Sequence, residues 1–517
     1  MPELFLGIDL GTGSSKGVLA DETGRVVAIA TRPRPRSMSM PKPGWAEVDA
    51  AGVWWADVVA ICGELTKQAG GHSIIGLCVS GVGPCLLLGD QQGRPVRPAI
   101  LYGIDMRATA EIEELTDHFG ADAIVQRGGT ALSTQAIGPK AQWLQRHEPD
   151  VWARASLWFN SNSYVVHRLT GEYVLDQHTA SQCDPLYDIR ARDWYQPWSD
   201  EVMPGLAMPR LAWPGEVVGT VTAAAAAETG LPAGLPVCAG TVDAWAEAFS
   251  AGVRNPGDLM LMYGSTMFFV SVIDRLASHP QLWTTSGVEP GSYTLAAGMA
   301  TSGSLTSWVQ QLVGDVSFEE LVREAAAVPA GADGLLLLPY FAGERTPIFD
   351  ARARGVLAGL TLNHTRGHLF RAVYEGIAFG IRQILPLLAA VGGDRIGRLV
   401  AVGGGTQGGL WTQVVSDVTG LEQQIPEQTI GASYGDALLA AIGTNRVAAS
   451  TDWSRISRTV LPNQANRSVY DGLFESYQGL YPATLSIVHR LAQLQEEGAV
   501  DTADISAADE NRSWVGG

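Results

Sequence analysis

The stretch FLGIDLGTGSSKG, Phe5 to Gly17, decides the fold, because it joins a strand pattern to a turn suited to phosphate. An apolar run from Leu4 to Ile8 ends in Asp9, small residues follow from Gly11 to Ser15, and a second apolar run covers Gly17 to Ala20. That is a strand, a tight turn and a strand. Two familiar glycine loops fail here. A P-loop needs glycine directly before its lysine, where Ser15 precedes Lys16, and a dinucleotide fingerprint needs a third glycine where Lys16 stands. What remains is a hairpin whose glycines, Gly11 and Gly13, let backbone amides approach an anion, with Thr12 and Ser14 as donors and Lys16 balancing charge. Asp9 would repel phosphates unless a divalent cation lies between them, so the stretch points to Mg2+ with ATP. An ordinary β-hairpin with an aspartate at its turn accounts for the same residues.

The chain has 517 residues, too many for one ordinary core, and a prior of roughly 150 per domain gives two or three domains. A hydrophobic content of 46% with 17% charged residues describes a globular protein. The net charge of −18 argues against sequence-independent binding to nucleic acid or to anionic membrane, which depends on clustered Lys and Arg. The run RPRPR, Arg32 to Arg36, reads as a solvated loop. Cys62, Cys78, Cys85, Cys183 and Cys238 are odd in number without CxxC spacing, as expected of buried small hydrophobes in a reducing cytoplasm. No apolar stretch reaches the ~18 residues of a membrane span and no leader pattern opens the chain, so the reading is cytoplasmic. Read as scattered and without an HxxxH pair, the nine histidines lend a zinc site no support.

Strand-like and helical runs alternate along the chain: IIGLCVSGVG (Ile74 to Gly83) is a buried-strand pattern and GVWWADVVAICGELTKQAG (Gly52 to Gly70) has apolar residues at helical spacing. Such alternation predicts α/β layers. GDLMLMYGSTMFFVSV (Gly257 to Val272) repeats the strand, small-residue turn and strand of the opening, with Gly264, Ser265 and Thr266 at its turn. The repeat suggests two similar domains each offering a hairpin to one nucleotide, although two unrelated hairpins would look alike. Further on, LVAVGGGTQGGLWTQVVSDVTG (Leu399 to Gly420) reads as strand, glycine loop and helix, and GASYGDALLAAIG (Gly431 to Gly443) as a small-residue helix. Domains are expected at 1–248 and 249–490, followed by an acidic, loosely ordered tail at 491–517 with six Asp or Glu against one Arg.

In VCAGTVDAWAEAFSAG, Val237 to Gly252, an apolar run ends in Gly240 and Thr241, and Asp243 then opens an alanine-rich helical stretch. A carboxylate at a helix N-terminus is held ionised by the helix dipole, the state a general base needs, and it is equally a plain helix cap. Four separated segments resemble those of the FGGY carbohydrate kinase family: GIDLGT near the start, LPYFAGERTP (Leu338 to Pro347), GVLAGLTLNHTRGHLFRAVYEG (Gly355 to Gly376), and VGGGTQGGLWTQVVSDVTG. The last two fit the family signature and its adenosine side, and RPAILYGIDMR (Arg97 to Arg107) resembles its substrate side; the spacing is nearest that of xylulokinases. The resemblance spans about residues 4 to 445. It implies two duplicated α/β domains of the actin-like ATPase (ribonuclease H-like) fold with a cleft between them. It also implies ATP-dependent phosphorylation of a small sugar or polyol.

By position, the resemblance makes Asp243 the catalytic aspartate, Asp9 with Asp243 the carboxylates at the magnesium, and Thr12, Gly13, Ser14 and Lys16 phosphate contacts. Gly264, Ser265 and Thr266 match the second phosphate turn, and Gly404 and Gly405 the adenosine loop. On the substrate side it points to Gly83, Pro84, Tyr102, Asp105, Arg107, Asn162 and Trp245; Glu375 in the signature reads as architectural. Several of these depart from the xylulokinase pattern. Gly83 and Pro84 stand where Met-His is common, Tyr102 where tryptophan is usual with one extra residue before Asp105 and Arg107, and Asn160, Asn162 and Ser163 where Lys-Asp is frequent. Asp105 and Arg107 read either as sugar contacts or as a surface salt bridge, the 160–163 amides as sugar readers or helix caps, and Trp245 as pocket wall or packing. The expected acceptor is a pentulose such as D-xylulose, with ribulose, a tetritol or a hexulose as alternative. An actin-like ATPase or a sugar sensor without turnover is the rival class. The partners expected are the sugar and ATP/ADP, with no nucleic acid or membrane, and a homodimer is allowed.

Overall fold

The computed structural model describes residues 3–34, 38–314, 316–393 and 396–512, with 497–512 as backbone. Two mixed sheets dominate. The first contains β1 (Glu3–Leu10), β2 (Ser14–Asp21), β3 (Val26–Pro33), β4 (Ser73–Gly81), β5 (Val217–Thr220), β6 (Pro236–Cys238) and β7 (Thr241–Val242). The second contains β8 (Asp258–Tyr263), β9 (Met267–Ile273), β10 (Trp283–Ser286), β11 (Tyr293–Met299), β12 (Arg398–Val402), β13 (Gln423–Pro426) and β14 (Ile456–Val460). The first runs β3-β2-β1-β4-β6-β5 with β7 also on β4; the second runs β10-β11-β9-β8-β12-β13-β14. In both, an antiparallel hairpin (β1/β2, β8/β9) carries a third antiparallel strand, and the first hairpin strand pairs in parallel with a crossover strand (β4, β12). The repeat visible in the two glycine turns therefore extends through both sheets, and the α/β duplication is as expected.

Alternation along the hairpin strands explains their continuous apolar sequence. Leu4, Leu6 and Ile8 pack with Val58, Ile61 and Leu65 of α1 (Ala56–Gln68), while Phe5 on the other face packs with Ala437 and Leu438. In β8, Leu259 and Leu261 face Phe370 and Ile377, and Met260 faces Trp245 and Ala248. A strand covered on both faces has no polar side to show. Each such side chain contributes ~1.5–3 kcal/mol by leaving water.

The covering helices are exchanged between the halves of the sequence. Helix α2 is Asp243–Ser250 and packs on the second sheet, although it follows the last strand of the first. Helix α3 (Arg366–Gly392) and α4 (Leu410–Thr419) fill the second core, and α5 (Ala432–Gly443) lies on β1 and β4 of the first sheet. Helices α2 and α5 cross each other between the sheets. A Cβ at Gly435 would stand 2.0 Å from the Ala246 carbonyl oxygen, so only glycine permits the approach. A boundary at 248/249 cuts through α2.

Several sequence expectations are corrected here. Arg32 and Pro33 belong to β3, and Arg34 is buried against Asp57 at 2.9 Å, so this part of RPRPR is no solvated loop; Pro35 and Arg36 lie outside the described residues. Helix α6 runs Arg467–Arg512, so the stretch 491–512 expected to be loosely ordered is helical, and 513–517 lie outside the described residues. Helix α3 is long and apolar enough to cross a membrane by composition, but it is packed inside the second core. His364 and His368 do stand four residues apart, as in a zinc pair, yet His368 is engaged by Thr365 and Asp333 and His364 by Thr361. They cap the entry to α3. Glu375 accepts from Arg371, the Gly331 amide and Tyr470, which makes it part of the frame. All five cysteines are free and buried.

Candidate active site

The register of the first sheet brings Asp9 and Asp243 to one end. Asp9 is level with Ser80, and Ser80 with Thr241, so the three strands end together and Asp243 follows at once as the first residue of α2. The step from β6 into β7 passes through Gly240 at φ +74°, where a Cβ would sit 1.8 Å from the Val79 carbonyl oxygen. No side chain fits that position. Asp243 Oδ1 then accepts the Ala244 amide proton at 2.7 Å, fixing the carboxylate at the helix start.

A cavity of about 260 Å³ opens there, with Asp9, Asp243 and Glu247 on one wall and Met262, Thr266, Phe268 and Trp283 of the second sheet on another. The two hairpins thus meet over one space. The Gly264–Thr266 turn is braced from behind: the Gly264 carbonyl accepts from Ser302 Oγ at 2.9 Å and the Gly303 amide at 3.0 Å. Burial pushes the Asp243 carboxyl up to about 6. Burial and the Asp243 charge push Glu247 up to about 7, with Lys16 opposing. Asp9 is raised by burial first, then by Asp243, Asp436 and Glu247, again with Lys16 opposing.

Asp9 Oδ1 is buried and has no hydrogen-bond partner among the described residues. An unpartnered carboxylate oxygen among three further carboxyl groups fits a divalent cation. Among the described residues no three such ligands close around one point, so a cation here would draw its remaining ligands from phosphate oxygens and water.

The other expected residues divide clearly. Gly83, Tyr102, Trp245 and Thr266 line the cavity; Tyr102 shares a 3.1 Å hydrogen bond with Thr12 Oγ1, and Trp245 Nε1 donates to Thr294 at 2.8 Å. Gly13 and Ser14 lie on the adjoining turn, and Lys16 Nζ donates to the Ile430 carbonyl at 2.8 Å, tying that hairpin to the segment before α5. Gly404 and Gly405 open a short helix after β12, and Gly405 abuts Trp411 and Tyr263.

Asp105 and Arg107 are neither sugar contacts nor a surface pair. They form a fully buried ion pair at 2.7 Å, with Arg107 also on Glu47 and over the Trp45 ring, and Asp105 on the Ala46 amide. Asn162 is buried too and donates to Asp176 at 3.1 Å; Ser163 caps by accepting from the Asn160 amide at 2.9 Å. Pro84 is off the cavity wall, and only Gly83 reaches it. All are frame, because each polar atom is consumed inside the first lobe.

Sequence reasoning missed a third wall, made by Thr130, Ser133 and Gln135 with Gln182, Asp184 and Arg345. It also missed Asp436, which accepts from the Ser80 amide at 3.1 Å and Ser80 Oγ at 2.5 Å. The small-residue pattern of α5 carried a signal for the latter, since a lone acidic residue in an otherwise apolar buried helix must face a partner.

The model of the FGGY carbohydrate kinase N-terminal domain matches residues 4–250, and that of the C-terminal domain matches 259–444. The chain belongs to the FGGY family of carbohydrate kinases. As a member of this family it is a sugar phosphotransferase with two actin-like α/β domains. It is 34% identical to a xylulose kinase from Rhodospirillum rubrum, with a TM-score of 0.86 over 94% of this chain and 100% of that one. A xylulose kinase from Brucella ovis is 30% identical, with a TM-score of 0.86 over 94% and 100% of the two chains. The xylulose kinase of Lactococcus lactis is 29% identical over 504 residues, covering 95% of this FGGY kinase and 99% of the relative.

Proposed function

We propose that this FGGY kinase transfers the terminal phosphoryl group of Mg-ATP to a hydroxyl of a pentulose such as D-xylulose, with Asp243 as general base. The reading rests on Asp243 standing at a helix start on a cavity walled by both hairpins. The names of its relatives favour xylulose as acceptor. Phosphoryl transfer asks a protein mainly to position groups and to stabilise charge, with one base on the attacking hydroxyl. A carboxylate whose pKa is pushed up to about 6 is still ionised at neutral pH and is a stronger base than an unperturbed one.

The substrate hydroxyl loses its proton to Asp243 as its oxygen bonds to the terminal phosphorus; the bond to the bridging oxygen breaks, and the electron pair leaves with ADP. Lys16 and the turn at Thr12 to Ser14 would hold the phosphate side, with Thr266 on the cavity wall from the second lobe. Magnesium, held at Asp9, would neutralise charge between that carboxylate and the phosphates. Burial of all five free thiols fits a cytoplasmic enzyme. A second acceptor reading, ribulose, a tetritol or a hexulose, is favoured by the bare Gly83 wall, which carries no side chain to contact the sugar. The test is coupled ADP release over a panel of pentuloses, hexuloses and polyols, with the phosphate then located on the product. ADP release that no sugar stimulates would count against the proposal.

A further inference from the structure

The cavity wall contributed by the segment 181–184 contains a short hydrogen-bond relay that the phosphoryl-transfer scheme does not use. His178 is fully buried, with Nδ1 2.7 Å from the Ser286 carbonyl oxygen and its ring 4.1 Å from that of Trp245. A carbonyl only accepts, so Nδ1 carries the proton, and burial, which holds the imidazole down to about 3, keeps the ring neutral. Nε2 is then an acceptor. The Gln182 amide nitrogen stands 2.7 Å from it and must donate, which leaves Gln182 Oε1 as the atom available to the cavity. Two residues on, Asp184 also lines the cavity, but its unpartnered Oδ1 is packed against Gly128 and burial pushes its carboxyl up to about 8, so it is no ready acceptor at neutral pH.

We infer that Gln182, with its amide oriented by His178, is the specificity-determining acceptor for a hydroxyl of a neutral polyhydroxyl substrate. The inference rests on the sugar-kinase reading and names the residues that select its substrate. The bare Gly83 surface supplies no side-chain contact of its own, and Gln182 is one of the polar side chains left on the cavity to make one. Oriented acceptors suit O–H donors. With Asp243 ionised on the same cavity and, among the described residues, Arg345 as the one guanidinium on its wall, a carboxylate-bearing acceptor such as an aldonate is disfavoured by repulsion.

The test measures sugar affinity by calorimetry without nucleotide and sugar KM in the coupled assay. Gln182→Leu is expected to raise the sugar Kd and the sugar KM by about tenfold or more, the loss of one buried hydrogen-bonding partner, while the KM for ATP holds and the thermal midpoint falls modestly because His178 Nε2 loses its donor. His178→Phe keeps a ring against Trp245 but frees the amide; it should weaken sugar binding in the wild-type background and add nothing in the Gln182→Leu background. A purely structural role for His178 would cost the same in both and would overturn the relay. Unchanged sugar affinity in Gln182→Leu overturns the inference, as does a wild-type protein that binds an aldonate more tightly than the matching polyol or binds no neutral sugar. Should Gln182→Leu not fold, Gln182→Met removes both the donor to His178 and the acceptor towards the cavity at similar size, and unchanged affinity there is equally fatal. Gln182-dependent sugar binding without ADP release would sink the kinase reading and leave this inference standing.

Discussion

Asp243→Asn should abolish turnover and yet stabilise the ligand-free fold. The carboxylate is surrounded by Asp9, Glu247 and Asp436, and burial raises its pKa to about 6. An unperturbed aspartate titrates near ~3.9, so a rise to about 6 corresponds to about 3 kcal/mol of destabilisation once the group is ionised in both states. Part of the side chain is open to cavity solvent, which reduces this to ~1–2 kcal/mol. The sign is fixed by linkage. Between ~3.9 and about 6 the folded protein binds more protons than the unfolded chain, so the penalty grows as pH rises through that window and is complete above it. Asparagine carries no charge and keeps an oxygen for the Ala244 amide. Thermal unfolding with a chelator and no nucleotide should show the variant more stable at pH 8, by ~2–8 °C at ~2–4 °C per kcal/mol, and the gain should shrink towards zero at pH 4. A variant no more stable than wild type at pH 8, or a gain that ignores pH, would refute the reasoning.

Three further outcomes are expected. The acid limb of kcat/KM should fall near pH 6, with about one-tenth of the plateau left at pH 5, and Asp243→Ala should lower kcat by ~10²–10⁴ while ATP still binds; a profile flat to pH 5 contradicts Asp243 as base. Asp9→Asn should raise the divalent-cation concentration for half-maximal rate by ~10–100-fold, read by metal titration of the coupled assay, because the unpartnered oxygen is then an amide. Gly435→Ala should cost ~1–3 kcal/mol in urea unfolding, since its Cβ would press on the Ala246 carbonyl where α2 and α5 cross; an unchanged midpoint would mean the crossing is loose.

The hairpins were legible because their physics is local. Apolar runs broken by Gly and small polar residues fix a strand, turn and strand wherever they occur, and both the 5–20 and 257–272 stretches fold that way. Asp243 was legible for the same reason, since a helix start after a glycine step is written in adjacent residues. Asp105 and Arg107 show where local reading stops. The pattern marks a charged pair, but only tertiary contacts reveal Glu47, Trp45 and the Ala46 amide absorbing it. The wall at 130–136 and 181–184 was invisible from the chain, because Gln182 gains its orientation from a histidine held by β10, which leaves no spacing signal.

The exchange of α2 and α5 between the halves explains why the site belongs to both lobes. Residues Thr241 and Val242 are held by β4 of the first sheet, whereas Trp245 and Ala248, one turn further on, are packed against Met260 and Val270 of the second. Asp243 lies between these anchors, at the junction of the two sheets. Asp436 answers it from the other direction, on a helix of the second half hydrogen-bonded to Ser80 of the first sheet. Lys16 reaches from the first hairpin to the Ile430 carbonyl just before that helix, a second tie between the halves. A fold that only needed to be stable would cover each sheet with its own helices. Crossing them instead brings Asp243, Asp436 and the Lys16 contact to the junction of the two sheets.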